Sequence, residues 1–183
     1  MFLTGFSKKS SLDKILCNIQ PVKIAGIARF QMPTPIRASD IKNIKFAGSG
    51  GGGIDIISRI GTGKATKLCI MELKDENNAK ETPAKAILQG LAYATFIREL
   101  LRSNSGKVWW KIFGFSGKLP EQVELYVACV MPSIDNNDTS FANKIIKTTK
   151  DSFHLHYIYF KEEDNKVVDI VTSLKQCSVN QAT

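Results

Sequence analysis

Three side chains in one short stretch have the types and spacing that divalent-metal chemistry needs: Asp55, Glu72 and Lys74. Around them, residues 53–60 and 67–74 read as two strands, both rich in the branched side chains that strands favour. In the connection, Gly61 and Gly63 can take the positive φ that a reversal demands. If the reversal is centred between Gly63 and Lys64, an antiparallel hairpin sets Asp55 opposite Glu72, Ile57 opposite Ile70 and Gly53 opposite Lys74. Opposite partners share a face. The other face pairs Ile54 with Leu73, Ile56 with Met71 and Ser58 with Cys69, an apolar set expected to be the core.

Directly opposed carboxylates have Cβ atoms roughly 4.5–5.5 Å apart and repel unless a cation sits between them. Glu72 and Lys74 are two apart on one strand and project together, which brings an ammonium to the same spot. The competing expectation is a solvated hairpin side that merely carries charges. A one-residue slip of register would scatter the three groups.

The hairpin must be followed by something that covers it. Thr82 can cap a helix with Pro83 at its first position, and residues 103–106, Ser-Asn-Ser-Gly, supply a stop, so the spacing predicts a helix over 83–102. Ile87, Leu88, Leu91, Ala92, Ile97 and Leu101 give it apolar surface for packing on the sheet. Gln89 and Tyr93 are four apart and therefore neighbours on one stripe, where an ordinary helix rim is the plainer account.

These residues resemble the PD-(D/E)XK nuclease superfamily. Asp55 stands as its first acid, Glu72-Leu73-Lys74 as its E-x-K triplet, and Gln89 with Tyr93 as the Gln-x-x-x-Tyr pair of its recombination-exonuclease branch. The leading Pro-Asp is replaced by Ile54-Asp55. The acid often donated by the family's first helix has Asp13 and Asp40 as its candidates here.

The resemblance implies an α/β chain with a restriction-endonuclease-like core, a central mixed sheet with a β-meander or hairpin flanked by helices. It implies one domain over 1–183, with the core about 41–132 and a sheet and helix extension about 133–183. It further implies Mg²⁺ (or Mn²⁺) held by Asp55, Glu72 and the Leu73 carbonyl. Lys74 would position or help deprotonate the attacking water, Gln89 would hold water or backbone, and Tyr93 would support that face. The implied activity is hydrolysis of DNA phosphodiester bonds, by one chain or by a homodimer. The alternatives are a catalytically inactive nuclease-fold DNA-binding module and a protein-interaction domain.

Composition is compatible with this. A chain of 183 residues, 43% hydrophobic, is suited to one domain with a sizeable core, and its formal charge of +8 favours a polyanionic partner such as nucleic acid. Cys17, Cys69, Cys129 and Cys177 form no C-x-x-C pair and are expected as reduced thiols. No run is long enough for a membrane span and the start lacks the order of a signal peptide, so the cytoplasm is expected.

Other segments carry expectations of their own. Residues 11–19 form a short amphipathic stretch and 41–46 a strand. Residues 48–53 hold five glycines in six, either a close-approaching backbone or a loose turn; no helix follows and Gly63-Lys64 precedes alanine, which excludes a phosphate-binding P-loop. Residues 107–118 interleave aromatics with lysines, suited to covering the core or to stacking bases. Residues 124–131 read as a buried strand, 137–150 as a short capped helix, and 153–160 and 167–172 as strands joined by a turn at 162–165. His154 and His156 have the spacing of a metal pair but no third ligand nearby, so packing is expected of them.

Overall fold

Helix-forming stretches follow the hairpin and further strands follow them, and the chain folds accordingly into a mixed α/β arrangement. The computed structural model describes residues 20–21, 32–34, 52–61, 63–74, 81–133, 137–164 and 166–174. Residues 11–19 and 41–46, together with Asp13, Cys17, Asp40, Cys177 and most of the glycine run, lie outside these. Nine strands are described: β1 (Gln20–Pro21), β2 (Met32–Thr34), β3 (Gly52–Ile54), β4 (Ile56–Ile60), β5 (Lys67–Leu73), β6 (Glu124–Pro132), β7 (Ile145–Lys147), β8 (Ser152–Glu163) and β9 (Lys166–Thr172). The helices are α1 (Pro83–Arg102) and α2 (Gly106–Ile112).

The main sheet runs β1-β4-β5-β6-β8, with β7 and β9 both paired to β8. β4 and β5 are antiparallel, and β5, β6 and β8 are parallel to one another. The β5-to-β6 connection carries α1, as a crossover between parallel strands requires. β2 and β3 make a separate two-stranded sheet in which Gly52 and Gly53 pair with Thr34 and Pro33.

From Ile56 to Ile60 the hairpin register is the expected one, with Ile57 on Ile70, Ile56 on Met71 and Ser58 on Cys69, but it stops there: Ile54 and Gly53 pair with Met32 and Pro33 of β2 instead of facing Leu73 and Lys74. Two further details differ. The connection holds a 3-10 turn, Gly63–Ala65, with Gly61 at φ +89, where a Cβ would lie 2.9 Å from the Ala65 carbonyl oxygen. The expected first strand is also interrupted by a bend at Asp55. That bend breaks the alternation, so Ile54 joins Ile57 and Ile70 in one core cluster instead of facing away with Met71.

Both faces of the sheet are buried. One cluster lies between the sheet and the helices and contains Ile57, Ile70, Val127, Leu125, Tyr93, Ile97 and Leu101. The other gathers Cys69, Met71, Ala128, Val130, Ile158, Phe160 and Ile170. The acid-bearing face of the hairpin is therefore the face packed under α1, not a solvated side.

Helix α1 occupies its expected span. Thr82 is extended and its hydroxyl accepts from the Lys85 N–H at 3.4 Å, Pro83 is the first helical residue, and the Ser103 N–H closes on the Leu100 carbonyl at 3.3 Å. Leu88 points outward, more than half exposed, because the buried stripe follows Ala86, Gly90, Tyr93, Ala94 and Ile97. Gly90 lets the helix approach the sheet: a Cβ there would meet Val127 Cγ1 at 2.8 Å and Glu72 Cβ at 3.9 Å.

Gly90→Ala is accordingly expected to destabilise. Overpacking against a stiff valine costs about 1–3 kcal/mol, against a helix-propensity gain of up to ~1 kcal/mol. A net loss near 1 kcal/mol lowers Tm by about 2–4 °C at this chain length. A thermal melt showing a higher Tm than wild type would contradict the close approach.

Residues 106–112, expected as part of an aromatic cover, form helix α2. Trp110 and Phe113 are buried, and Trp110 stacks on Phe115 at a 3.8 Å centroid distance. The helix expected over 137–150 is absent. Asp138 turns the chain by accepting from the Ser140 N–H, Asn143 sits at φ 61, and Ile145–Lys147 pairs with β8 instead. β9 follows a turn with Asp164 at φ 49 and a register shift between Lys161 and Glu162. Among the described residues no helix is long and apolar enough to cross a membrane.

Candidate functional site

At the end of β5 the chain brings together all five of the side chains that spacing had singled out. Lys74 follows β5 directly and is buried, its backbone N–H bonded to the Val130 carbonyl at 2.9 Å. Its Nζ donates to Glu72 Oε1 and Gln89 Oε1, both at 2.9 Å, and forms an ion pair with Glu81 Oε2 at 2.7 Å that lacks hydrogen-bond geometry. Gln89 Nε2 in turn donates to the Tyr93 hydroxyl at 3.4 Å. Asp55, at the bend, takes the Leu73 N–H on Oδ2 at 3.0 Å, which ties the β3–β4 bend to the end of β5.

Electrostatics mark the cluster as short of positive charge. Glu72 is 2% exposed, and its Oε2 is buried without a hydrogen-bond partner. Burial, and then the negative charge of Asp55 beside it, push its carboxyl up to about 8 despite the bond from Lys74. For Lys74, burial works against the charge, but bonds to Glu81 and Glu72 outweigh it and hold the amine above its usual range. Two hydrogen bonds and the ion pairs with Glu72 and Glu81 keep Lys74 protonated. Positioning and fixed charge are the roles this geometry favours, rather than proton abstraction from water.

The donors suit a hard cation. Two carboxylates and a main-chain carbonyl are the ligand types Mg²⁺ takes, and it usually keeps several waters besides. Among the described residues no three His, Cys, Asp or Glu side chains come together as a metal group, so water and substrate oxygens would complete the shell. The orphaned Glu72 oxygen is the observation that fits a cation here.

A thermal consequence follows from that fit. Mg²⁺ is expected to raise the Tm of the wild type and not that of Asp55→Asn, since a ligand of the native state alone stabilises it. Glu72→Gln, which removes the charge of the other carboxylate, is expected to lose the Mg²⁺ response as well. Differential scanning fluorimetry over a Mg²⁺ series decides both, and an equal metal response in Asp55→Asn would remove Asp55 from the ligand set.

Glu81 was not anticipated. It lies one residue before the Thr82 cap, outside any element, and no spacing rule links it to Lys74. The histidine pair is accounted for by packing: Tyr126 stacks between His154 and His156, each at 4.9 Å between centroids. Cys69 and Cys129 are free and buried, as expected of reduced thiols, and burial raises the Cys129 thiol to about 12.

Comparison with known proteins gives no match to a protein family, a curated protein or a solved structure.

Proposed function

We propose that this chain is a Mg²⁺-dependent nuclease hydrolysing DNA phosphodiester bonds on a restriction-endonuclease-like core. The observation carrying this is the convergence of Asp55, Glu72, Lys74, Gln89 and Tyr93 on one buried cluster in which a carboxylate oxygen is left without a partner. The order of hairpin, helix and parallel strand supports the same reading, as does the charge of +8. In it, Asp55, Glu72 and the Leu73 carbonyl would hold Mg²⁺, which when bound would lower the pKa of a water and offset charge building on the phosphate. Lys74 supplies a fixed cation for the phosphate and for the incoming water. Gln89 orients the Lys74 amine through its carbonyl, and Tyr93 holds the Gln89 amide in place.

Incubation of plasmid and single-stranded DNA with Mg²⁺ or Mn²⁺ tests this, with Asp55→Ala and Lys74→Ala beside the wild type. Cleavage lost in both supports the enzyme, and cleavage that survives Asp55→Ala rules this site out. A second reading, a module of the same fold that binds DNA without turnover, draws on the ion pairs that saturate Lys74. Its signature is metal-independent DNA retention that weakens steeply with salt and yields no products.

A further inference from the structure

The three oxygens facing Lys74 Nζ differ in how firmly they are held. Glu72 lies beneath α1 with its side chain 3% exposed, and Gln89 is fixed on α1 itself. Glu81 precedes the helix cap, and its side chain is 36% exposed. An anion arriving from solvent meets an ammonium already faced by three oxygens, two hydrogen-bonded and one ion-paired, so it must displace one of them. Moving Glu72 would strand a buried carboxylate beside Asp55. Moving Gln89 would require α1 to shift from its close contact at Gly90. Glu81 can swing into water at little cost, because a partly exposed ion pair contributes little.

The exchange also preserves the local charge. One monoanionic carboxylate leaves and one monoanionic phosphodiester arrives, so Lys74 keeps the same number of negative partners. Without that departure, a phosphodiester would share the Lys74 amine with Glu81 and add one negative charge to the site.

We propose that Glu81 is an internal stand-in for substrate phosphate, occupying the place on Lys74 Nζ that a phosphodiester oxygen takes and yielding it when nucleic acid binds. The identity of the anion rests on the nuclease reading above. Glu81 thus sets the affinity for substrate and leaves the chemical step to the groups behind it.

The test uses the full chain and a dinucleoside phosphate, which carries a single phosphodiester, with Ca²⁺ in place of Mg²⁺ to hold turnover down. Glu81→Gln is expected to bind it about fivefold tighter than wild type, the size of a partly exposed ion pair. Glu121→Gln removes the same charge from an exposed side chain at the far end of α1, and is expected to change affinity less than about twofold. In DNA cleavage with Mg²⁺, Glu81→Gln is expected to lower KM about fivefold and leave kcat within about twofold. Unchanged affinity in Glu81→Gln, an equal gain in Glu121→Gln, or a fall in kcat at constant KM overturns the proposal. A chain that cuts no DNA but gains affinity on Glu81→Gln keeps the exchange and rejects the nuclease. A chain that cuts DNA with wild-type KM after Glu81→Gln keeps the nuclease and rejects the exchange.

Discussion

Lys74→Met is expected to lower kcat for DNA cleavage by about 10²–10³-fold, the usual effect of removing one preorganised electrostatic contact to a transition state. The Mg²⁺-dependent rise in Tm is expected to survive, because neither carboxylate is touched. Methionine approximates the lysine stem in volume and leaves the site under α1 filled. It does leave Glu72 without its ammonium partner, which strengthens the preference of that carboxyl for a proton or a cation. Asp55→Asn should behave in the opposite order. The amide oxygen can still accept from the Leu73 N–H, so the bend is preserved, while the loss of charge removes the metal response and the cleavage together. Full activity in Lys74→Met with an intact fold, checked by circular dichroism, would assign the amine a structural role and leave the ammonium out of the chemistry.

The site was legible in the sequence to the extent that strand alternation and helix capping fix geometry locally. Ile57 against Ile70 and Ser58 against Cys69 could be placed because a slip would turn every side chain over. Thr82 and Pro83 fixed where α1 begins, and with it the stripe that carries Gln89 and Tyr93 towards Lys74. The burial of the site was not legible. Nothing in residues 53–74 says which face the following helix covers, and both faces of this hairpin proved apolar enough to be buried.

Other misses have equally local causes. Alternation cannot announce the bend at Asp55, since a single displaced residue leaves the composition unchanged. Residues 137–150 hold a good capping aspartate, but Asn143 takes a left-handed conformation and Ile145 with Ile146 finds a free strand edge, so sheet pairing prevails over helix capping. Glu81 escapes because its partner is chosen by the reach of a lysine, not by periodicity. Arg98 and Arg102 lie one turn apart on α1, and their acidic partner, 53 and 49 residues away, meets them only through the topology of the sheet.

That partner, Asp151, is where the largest loss of stability is expected. Its side chain is fully buried and accepts from Arg98 Nε at 2.8 Å, Arg102 Nε at 3.1 Å, Arg102 Nη2 and the Val123 N–H at 2.9 Å. Ser152 next to it bonds back to the Val123 carbonyl at 3.0 Å. One carboxylate therefore joins the last turns of α1 to the starts of β6 and β8, neighbouring parallel strands of the main sheet. Asp151→Ala removes one partner of a buried charge network and strands the Val123 N–H, a loss of about 3–4 kcal/mol, at the lower end for such pairs because both arginines can regain water. At about 2–4 °C per kcal/mol, Tm should fall by roughly 6–16 °C.

Asp151→Asn, which keeps acceptor oxygen but not charge, should lose less. It should also change the acid limb of stability. Burial alone would raise the Asp151 carboxyl, but the Arg102, Val123 and Arg98 bonds overcome it and lower it to about 2, against 3.8 in the unfolded chain. A depressed carboxyl stabilises the fold fully above the unfolded value and loses that contribution as pH falls from about 4 through about 2, here about 2 kcal/mol. Urea midpoints of wild type and Asp151→Asn should therefore converge as pH drops through that window. A gap that stays constant from pH 5 to pH 2 would mean that the charge on Asp151 contributes nothing to the clamp between α1 and the sheet.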